Sequence, residues 1–341
     1  MKVKNSTAFQ TTAQPMMGRK DRPTLTIIVK GTFTFAMERT ELAADQEPIA
    51  FGDTLYDEKE GGGIRYETDL IPFKPRTDVV LDAAAHAPEG QPARSVPVAV
   101  TVGPVQKRLT VFGKRLWNHA GVLRRRRYVI TEAQPFLTQP IRYSNAFGGL
   151  DEATGEYCDY NLGGKGFYSV KTKANLAGKP LPMIEDPRHL IKSPADRPPT
   201  AGLGFYHRAC IPRARYAGTF DKAWRAERSP RMPEDFSYRF YNGAHPDLQV
   251  KGYLAGNEPV ELINLTPEGQ MRFALPAVAP HCRVVRARQK EEENISMRLD
   301  TVFIEPDRYR FCLVWRGAAS LPELNNGGIE QVDITVEAFK A

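Results

Sequence analysis

A chain of 341 residues is long enough to bury a real core, as one large domain or two ordinary ones. Its 47 basic and 40 acidic residues leave a net charge of +7 and are interspersed, which excludes a charged tail and describes a solvated surface with a general affinity for acidic partners. With 27 glycines and 27 prolines breaking short apolar runs, the pattern favours many strands with turns over long helices. The expected fold is mainly β, with antiparallel sandwich-like sheets, a long irregular insert and few short helices.

In chain order, residues 1–20 are polar and read as a mobile segment. An N-terminal β-rich part follows over 21–149. Thr24 to Ala36 is rich in β-branched and aromatic residues and predicts a strand pair, or one long strand kinked at Gly31. Tyr66 to Asp82 resumes extended structure, with Pro72 and Pro75 making part of it an irregular crossing. Val96–Val102, the Gly103-Pro104 turn and Lys107–Trp117 predict a hairpin, and Val122–Thr131 predicts a strand carrying Arg124, Arg125, Arg126 and Arg127.

Residues 150–247 form an insert rich in proline, glycine and aromatics. A structureless loop of that length is unusual, so it is expected to drape over the sheets, ordered by Phe167, Tyr168, Phe205 and Tyr206. Its densest stretch, Gly218 to Asp247, combines Trp224, Phe236, Tyr238, Phe240 and Tyr241 with Pro230, Pro233 and Pro246, a signature of ordered irregular structure. A short helix is predicted between Thr219 and Arg228, with Phe220, Ala223 and Trp224 on one face. The C-terminal part, 248–341, completes the fold with strands at Val250–Leu254, Val260–Leu265, Met271–Leu275, Arg283–Arg288, Leu299–Glu305, Tyr309–Trp315 and Ile329–Phe339.

Candidate chemistry is thin. The four cysteines, Cys158, Cys210, Cys282 and Cys312, are too scattered for a disulfide framework and suggest a reducing compartment. Met1 to Lys20 has no apolar core of a signal peptide, and nowhere do about 18 apolar residues run together, so a cytoplasmic chain without membrane insertion is expected. His207 and Cys210 lack the second ligand pair that a zinc site needs. Gly163-Gly-Lys-Gly166 lacks the spacing of a phosphate loop, and Asp151, Glu152, Glu156 and Asp159 lack that of a calcium loop. No metal, cofactor or catalytic constellation is therefore assigned. Asp69, Lys74 and Asp78 read most plainly as an ion network holding the irregular crossing. Arg124–Arg127 read most plainly as a surface strand or an interface for an acidic protein, and two alternatives stay open: a hydrolase using carboxylates among Asp69, Asp78, Asp221 and Asp235, and a nucleic-acid-binding protein using Arg124–Arg127.

Several segments occur in one recognisable order: Val29-Lys-Gly-Thr-Phe33; Tyr66-Glu-Thr-Asp-Leu70 with Lys74-Pro75 and Thr77-Asp78; Phe112-Gly-Lys-Arg115 with Trp117; and Tyr143 with Ala146-Phe-Gly-Gly149. Gly218-Thr-Phe-Asp221, Trp224, Pro230, Pro233-Glu-Asp-Phe236, Ala244 with Pro246-Asp247, Leu275-Pro276, Leu299-Asp-Thr301 and Trp315-Arg-Gly317 continue the series. Taken together they resemble the bacterial family known as domain of unknown function 2169, which accompanies type VI secretion effectors. The chain departs from the family pattern at Gly113-Lys-Arg115 and around Leu248-Gln249. The resemblance implies an adaptor or chaperone that binds a toxic effector and assists its loading onto a spike protein of the valine-glycine repeat class or its tip protein. A groove beside the 218–247 stretch is the expected cargo face, walled by Phe205, Tyr206, Trp224, Phe236 and Tyr238, with exposed sheet edges available for an added strand.

Overall fold

The computed structural model describes residues 1–57, 62–121, 127–286, 292–324 and 328–336. Its spine is the strand Pro23–Ala36, in which the β-branched and aromatic run predicted from the sequence is continuous. This strand pairs antiparallel with Arg310–Ser320 along its whole length, from Ser320 opposite Thr24 to Arg310 opposite Thr34. Gly31 makes no kink. A Cβ there would meet the rings of Phe9 and Phe33 at 3.0 Å, so the glycine instead makes room for Phe9, which stacks on Trp315 at 5.7 Å.

Six strands make the largest sheet. Gln10–Met17, Pro23–Ala36, Arg310–Ser320, Arg298–Glu305 and Asp78–Leu81 lie in that order, and Arg39–Leu42 also pairs with Pro23–Ala36. Asp78–Leu81 joins in parallel, Asp78 opposite Thr301. Residues 1–20, read from the sequence as mobile, carry two strands: Gln10–Met17 on this sheet, and Lys2–Asn5, which pairs in parallel with Ile329–Val336 in a four-stranded sheet.

A five-stranded sheet is built around the predicted hairpin, Ser95–Val102 with Val105–Phe112, turned at Gly103 with φ 49°. It is extended by Pro259–Ile263 and Gln270–Ala274 on one side and by Ile184–Glu185 from the insert on the other. Alternate residues Val96, Val98, Val100 and Val102 face inward, as the period of two requires, and join Leu25, Ile27, Val29, Leu313 and Val332 in one contiguous core. Each such side chain, fully removed from water, contributes about 1.5–3 kcal/mol. Val250–Leu254 is not the predicted strand: it makes only the single bridge of Leu254 to Leu299, because Val250 N–H is taken by the Thr77 carbonyl at 2.9 Å.

The insert is built from short strands, turns and helices. Trp117, Phe147, Leu176, Leu181 and Ile191 form a second small core beneath it, against which Phe167 and Tyr168 pack. Within it lie two short helices, Ile211–Ala214 and Lys222–Glu227. Arginines 124–126 fall outside the described residues; Arg127 opens the exposed end of the strand Arg127–Ile130.

Candidate functional site

Proline-rich crossing segments cannot satisfy their own backbone, and here charged side chains do it. Arg316, on the strand Arg310–Ser320, donates from Nε to Asp300 Oδ2 at 2.7 Å and from Nη1 to the carbonyls of Asp69 and Ile71 at 2.8 and 3.0 Å. Lys30, on the neighbouring strand, reaches Asp69 Oδ2 at 3.1 Å and lies 4.2 Å over the Tyr66 ring, while the Tyr66 hydroxyl donates to Asp69 Oδ1 at 2.7 Å. Lys74 pairs with Asp78 at 3.0 Å and donates to Thr301 Oγ1 at 2.9 Å, and that hydroxyl donates in turn to Asp300. Asp78 also accepts from Asn242 Nδ2 and the Gly243 N–H, tying the end of the insert to the same network.

All six charged groups of this network are buried, none more than 6% exposed. Burial of charge is tolerated only with such complete pairing. The ion network read from Asp69, Lys74 and Asp78 is therefore present, and larger than expected. What sequence spacing concealed is that Lys30, Asp300 and Arg316, far apart along the chain, close it through strand pairing. They fall in three of the motif segments.

This network floors one side of a surface groove. A cavity of about 250 Å³ is bounded by Phe73, Lys74, Tyr253, Arg298, Asp300 and Arg316. A second, of about 430 Å³, shares Arg19, Pro72, Phe73 and Ala318 with it and continues along Lys20 and Arg22. Its wall is apolar, and its rim is basic. The Arg19 guanidinium lies 4.9 Å over the Phe73 ring, and that of Arg298 5.1 Å from the Tyr253 ring. No carboxylate of the described residues pairs with Arg19, Lys20, Arg22 or Arg298.

The rim owes its shape to the insert. Lys20 and Asp21 both adopt the left-handed region, φ 55° and 53°, which is unfavourable for residues with a Cβ and persists only when neighbours impose it. Two residues of the insert do so: the Tyr238 hydroxyl donates to the Gly18 carbonyl at 2.7 Å, and Arg228 pairs with Asp21 at 2.9 Å. Burial, reinforced by Tyr241, pushes the Tyr238 hydroxyl up to about 12, so it remains a donor across the ordinary pH range. Tyr238 also meets Phe73 edge-on at 5.7 Å, backing the groove wall.

Of the aromatic residues expected to wall the groove, Tyr238 lies behind Phe73, and Phe236 meets Tyr238 edge-on at 5.3 Å. Phe205 and Tyr206 do not reach it. They are 4% and 3% exposed and line a separate cavity of about 330 Å³, because Phe205 packs into the main core against Tyr66 and Phe303. Trp224 is half-buried against its own loop, its indole N–H donating to the Arg231 carbonyl at 2.8 Å, with Phe220 edge-on at 4.7 Å and 55% exposed. The helix thus packs on the insert itself and turns Phe220 and Ala223 to solvent, where the sequence predicts an inward face. Phe73 and the 18–22 turn were missed in the sequence: one aromatic between two prolines and a short basic run carry no period.

The carboxylates considered for hydrolysis are each committed elsewhere. Asp69 and Asp78 belong to the buried network, Asp221 caps the Lys222–Glu227 helix by accepting from the Trp224 N–H at 2.8 Å, and Asp235 accepts from the Thr219 N–H and hydroxyl. Among the described residues no three His, Cys, Asp or Glu converge as metal ligands. Cys210 is buried, which pushes its thiol up rather than activating it. No helix among the described residues is long and apolar enough to cross a membrane.

A mainly β protein with a basic, aromatic-walled groove built on a buried ion network is the class that fold and site define. The chain belongs to the family described as an uncharacterized protein conserved in bacteria (DUF2169), which matches over residues 20–316. No curated protein and no solved structure matches it.

Proposed function

We propose that this chain is a cytoplasmic adaptor of type VI secretion, which binds a toxic effector along the groove and assists its loading onto a spike protein of the valine-glycine repeat class or its tip protein. The observation that supports this reading best is the groove itself. Its wall is apolar, its rim cations have no carboxylate partner among the described residues, and its floor is fixed by paired buried charges, so a partner segment meets a preorganised surface and pays little ordering cost. Phe73 is the anchor, standing between Arg19 and Tyr238. An aromatic and an arginine together are the side chains on which interfaces most often depend.

The experiment is co-expression with the toxin encoded beside this chain, followed by affinity purification and size-exclusion chromatography. A complex that keeps the toxin soluble is expected, and Phe73→Ala with Arg19→Glu is expected to weaken it by about two orders of magnitude or more, as loss of a central anchor does. A toxin that is soluble alone and never co-elutes refutes the adaptor reading. A complex indifferent to both substitutions moves the cargo face away from this groove.

A further inference from the structure

Most buried or half-buried arginines of this fold have a carboxylate partner. Arg65 pairs with Asp82 and Glu305, Arg213 with Glu67, Arg310 with Glu305 and Glu47, and Arg316 with Asp300. Three arginines gathered at the foot of the insert have none. The Arg239 guanidinium carbon lies 4.5 Å, and that of Arg215 5.0 Å, from the centroid of the same Tyr216 ring. Arg76 is close enough to Arg239 to add its field: burial, then Arg76 and Arg215, hold the Arg239 guanidinium below its usual range. No hydrogen bond or ion pair to a described residue engages any of the three guanidiniums, and Arg239 Nε is buried without a partner.

Like charges set together without a counter-charge oppose the compact state, and a fold that pairs most of its other buried or half-buried arginines retains this cluster. Tyr216 offsets part of the repulsion through its ring face, which both cations share. What the cluster lacks is an acceptor. Guanidiniums present planar forks that match carboxylates, and Arg215 is exposed, so an acceptor can arrive from solvent. Along the chain, the cluster adjoins residues of the groove. Arg239 follows Tyr238, which backs the groove wall, and Arg76 follows Lys74 by two residues on the crossing that forms its floor.

We propose that Arg76, Arg215, Arg239 and the Tyr216 ring form a carboxylate clamp that seizes an acidic segment of the protein partner lying in the neighbouring groove. This rests on the reading of the chain as an adaptor and names the chemistry of its partner: a polypeptide with glutamates or aspartates beside the segment that meets Phe73. Binding would follow from charge complementarity and would weaken with added salt.

The test needs no effector. Fluorescence anisotropy at low salt, on the full chain, is measured with a labelled peptide of alternating glutamate and glycine, its glutamine counterpart and a labelled DNA duplex. Only the glutamate peptide is expected to bind. Arg215→Ala is expected to weaken it about fivefold, and Arg215→Ala with Arg239→Ala about twentyfold, each guanidinium supplying one charge-assisted contact. Arg215→Lys should fall between wild type and Arg215→Ala, since it keeps the charge and loses the fork. Arg94→Ala, at an arginine paired with Glu132 elsewhere on the surface, should leave the affinity unchanged. Equal affinity of wild type and Arg215→Ala for the glutamate peptide overturns the proposal. So does tighter binding of the duplex lost in the same variants, which assigns the cluster to nucleic acid. A chain that clamps the glutamate peptide yet never co-elutes with the toxin refutes the adaptor reading and leaves the clamp standing.

Discussion

His245 is buried where a charge has no place, and its two ring nitrogens are already assigned. Nδ1 accepts the Asp247 N–H at 3.1 Å, so Nε2 carries the proton and faces the Thr200 carbonyl at 3.3 Å. Burial, and then the field of Lys107, lower its pKa from 6.5 to about 4, outweighing the opposite pull of Asp247. Lys107 is held in place there by Asp247 at 2.8 Å and Asp186 at 3.4 Å. Because the folded pKa lies below the unfolded one, the unfolded chain takes up this proton first as pH falls. The stability due to neutral His245 is present in full above pH 6.5 and is lost progressively towards pH 4, to about 3 kcal/mol in all. Urea denaturation between pH 7 and 4.5 should show wild type losing about 2–3 kcal/mol more than His245→Asn, whose side-chain oxygen can take the Asp247 N–H but which has no proton to gain. Parallel pH profiles for the two proteins would show that His245 is not kept neutral by the fold.

At the scale of elements, the insert depends on one side chain. Arg213, 1% exposed at the end of the Ile211–Ala214 helix, pairs with Glu67 through both terminal nitrogens and donates to the carbonyls of Tyr206 and Phe240. It thereby joins the β-rich part to the aromatic stretch 236–241. Arg213→Met should cost about 3 kcal/mol, since Glu67 stays buried with only the more distant Arg208, at 3.5 Å, to offset it. Limited proteolysis is expected to find new cleavage sites within 215–241 in the variant, while strands such as Pro23–Ala36 stay protected. An unchanged digestion pattern would mean that Tyr238, Arg228 and the aromatic contacts suffice without it. How much of this was legible in the sequence follows from the same physics. The Val96–Val102 hairpin and the long Thr24 to Ala36 strand announce themselves by period and turn chemistry, because their information is local. The insert's aromatic density announces order but not orientation: Trp224 packs on its own loop, while Phe220, just ahead of the helix, meets it edge-on and stays exposed. Glu67 and Arg213 are 146 residues apart, so their pairing has no local signature. Neither has the groove, whose wall residue Phe73 and rim residue Arg19 meet only after the strands have paired.

Across the whole molecule, the two ends of the chain share their sheets. Pro23–Ala36 is zipped to Arg310–Ser320, Asp78–Leu81 to Arg298–Glu305, Ser95–Val102 to Pro259–Ile263, and Lys2–Asn5 to Ile329–Val336. Side chains from all of these except the exposed Lys2–Asn5 meet in one core, and the buried charges repeat the pattern, with Lys30, Asp69 and Lys74 from the N-terminal part closed by Asp300 and Arg316 from the C-terminal part. Residues 21–149 alone would expose the inner faces of two half-sheets and leave Asp69, Lys74 and Asp78 without several of their partners, a combination that cannot offset the entropy of ordering the chain. Unfolding of the intact protein should therefore be a single cooperative transition, with fluorescence and circular dichroism coincident. The fragments 1–149 and 248–341, expressed separately, should each lack the dispersed amide spectrum of a folded protein. Such strand pairing is also slow to form, because the partners are separated by most of the chain, so refolding is expected on the timescale of seconds or longer. The groove inherits this arrangement, taking Arg19 and Phe73 from one part and Tyr253, Arg298 and Arg316 from the other. It exists only when both parts have assembled, and a bound partner must then raise the stability of the whole chain by the free energy of its binding. Two separated thermal transitions, or a fragment that folds alone, would show instead that the halves assemble after folding.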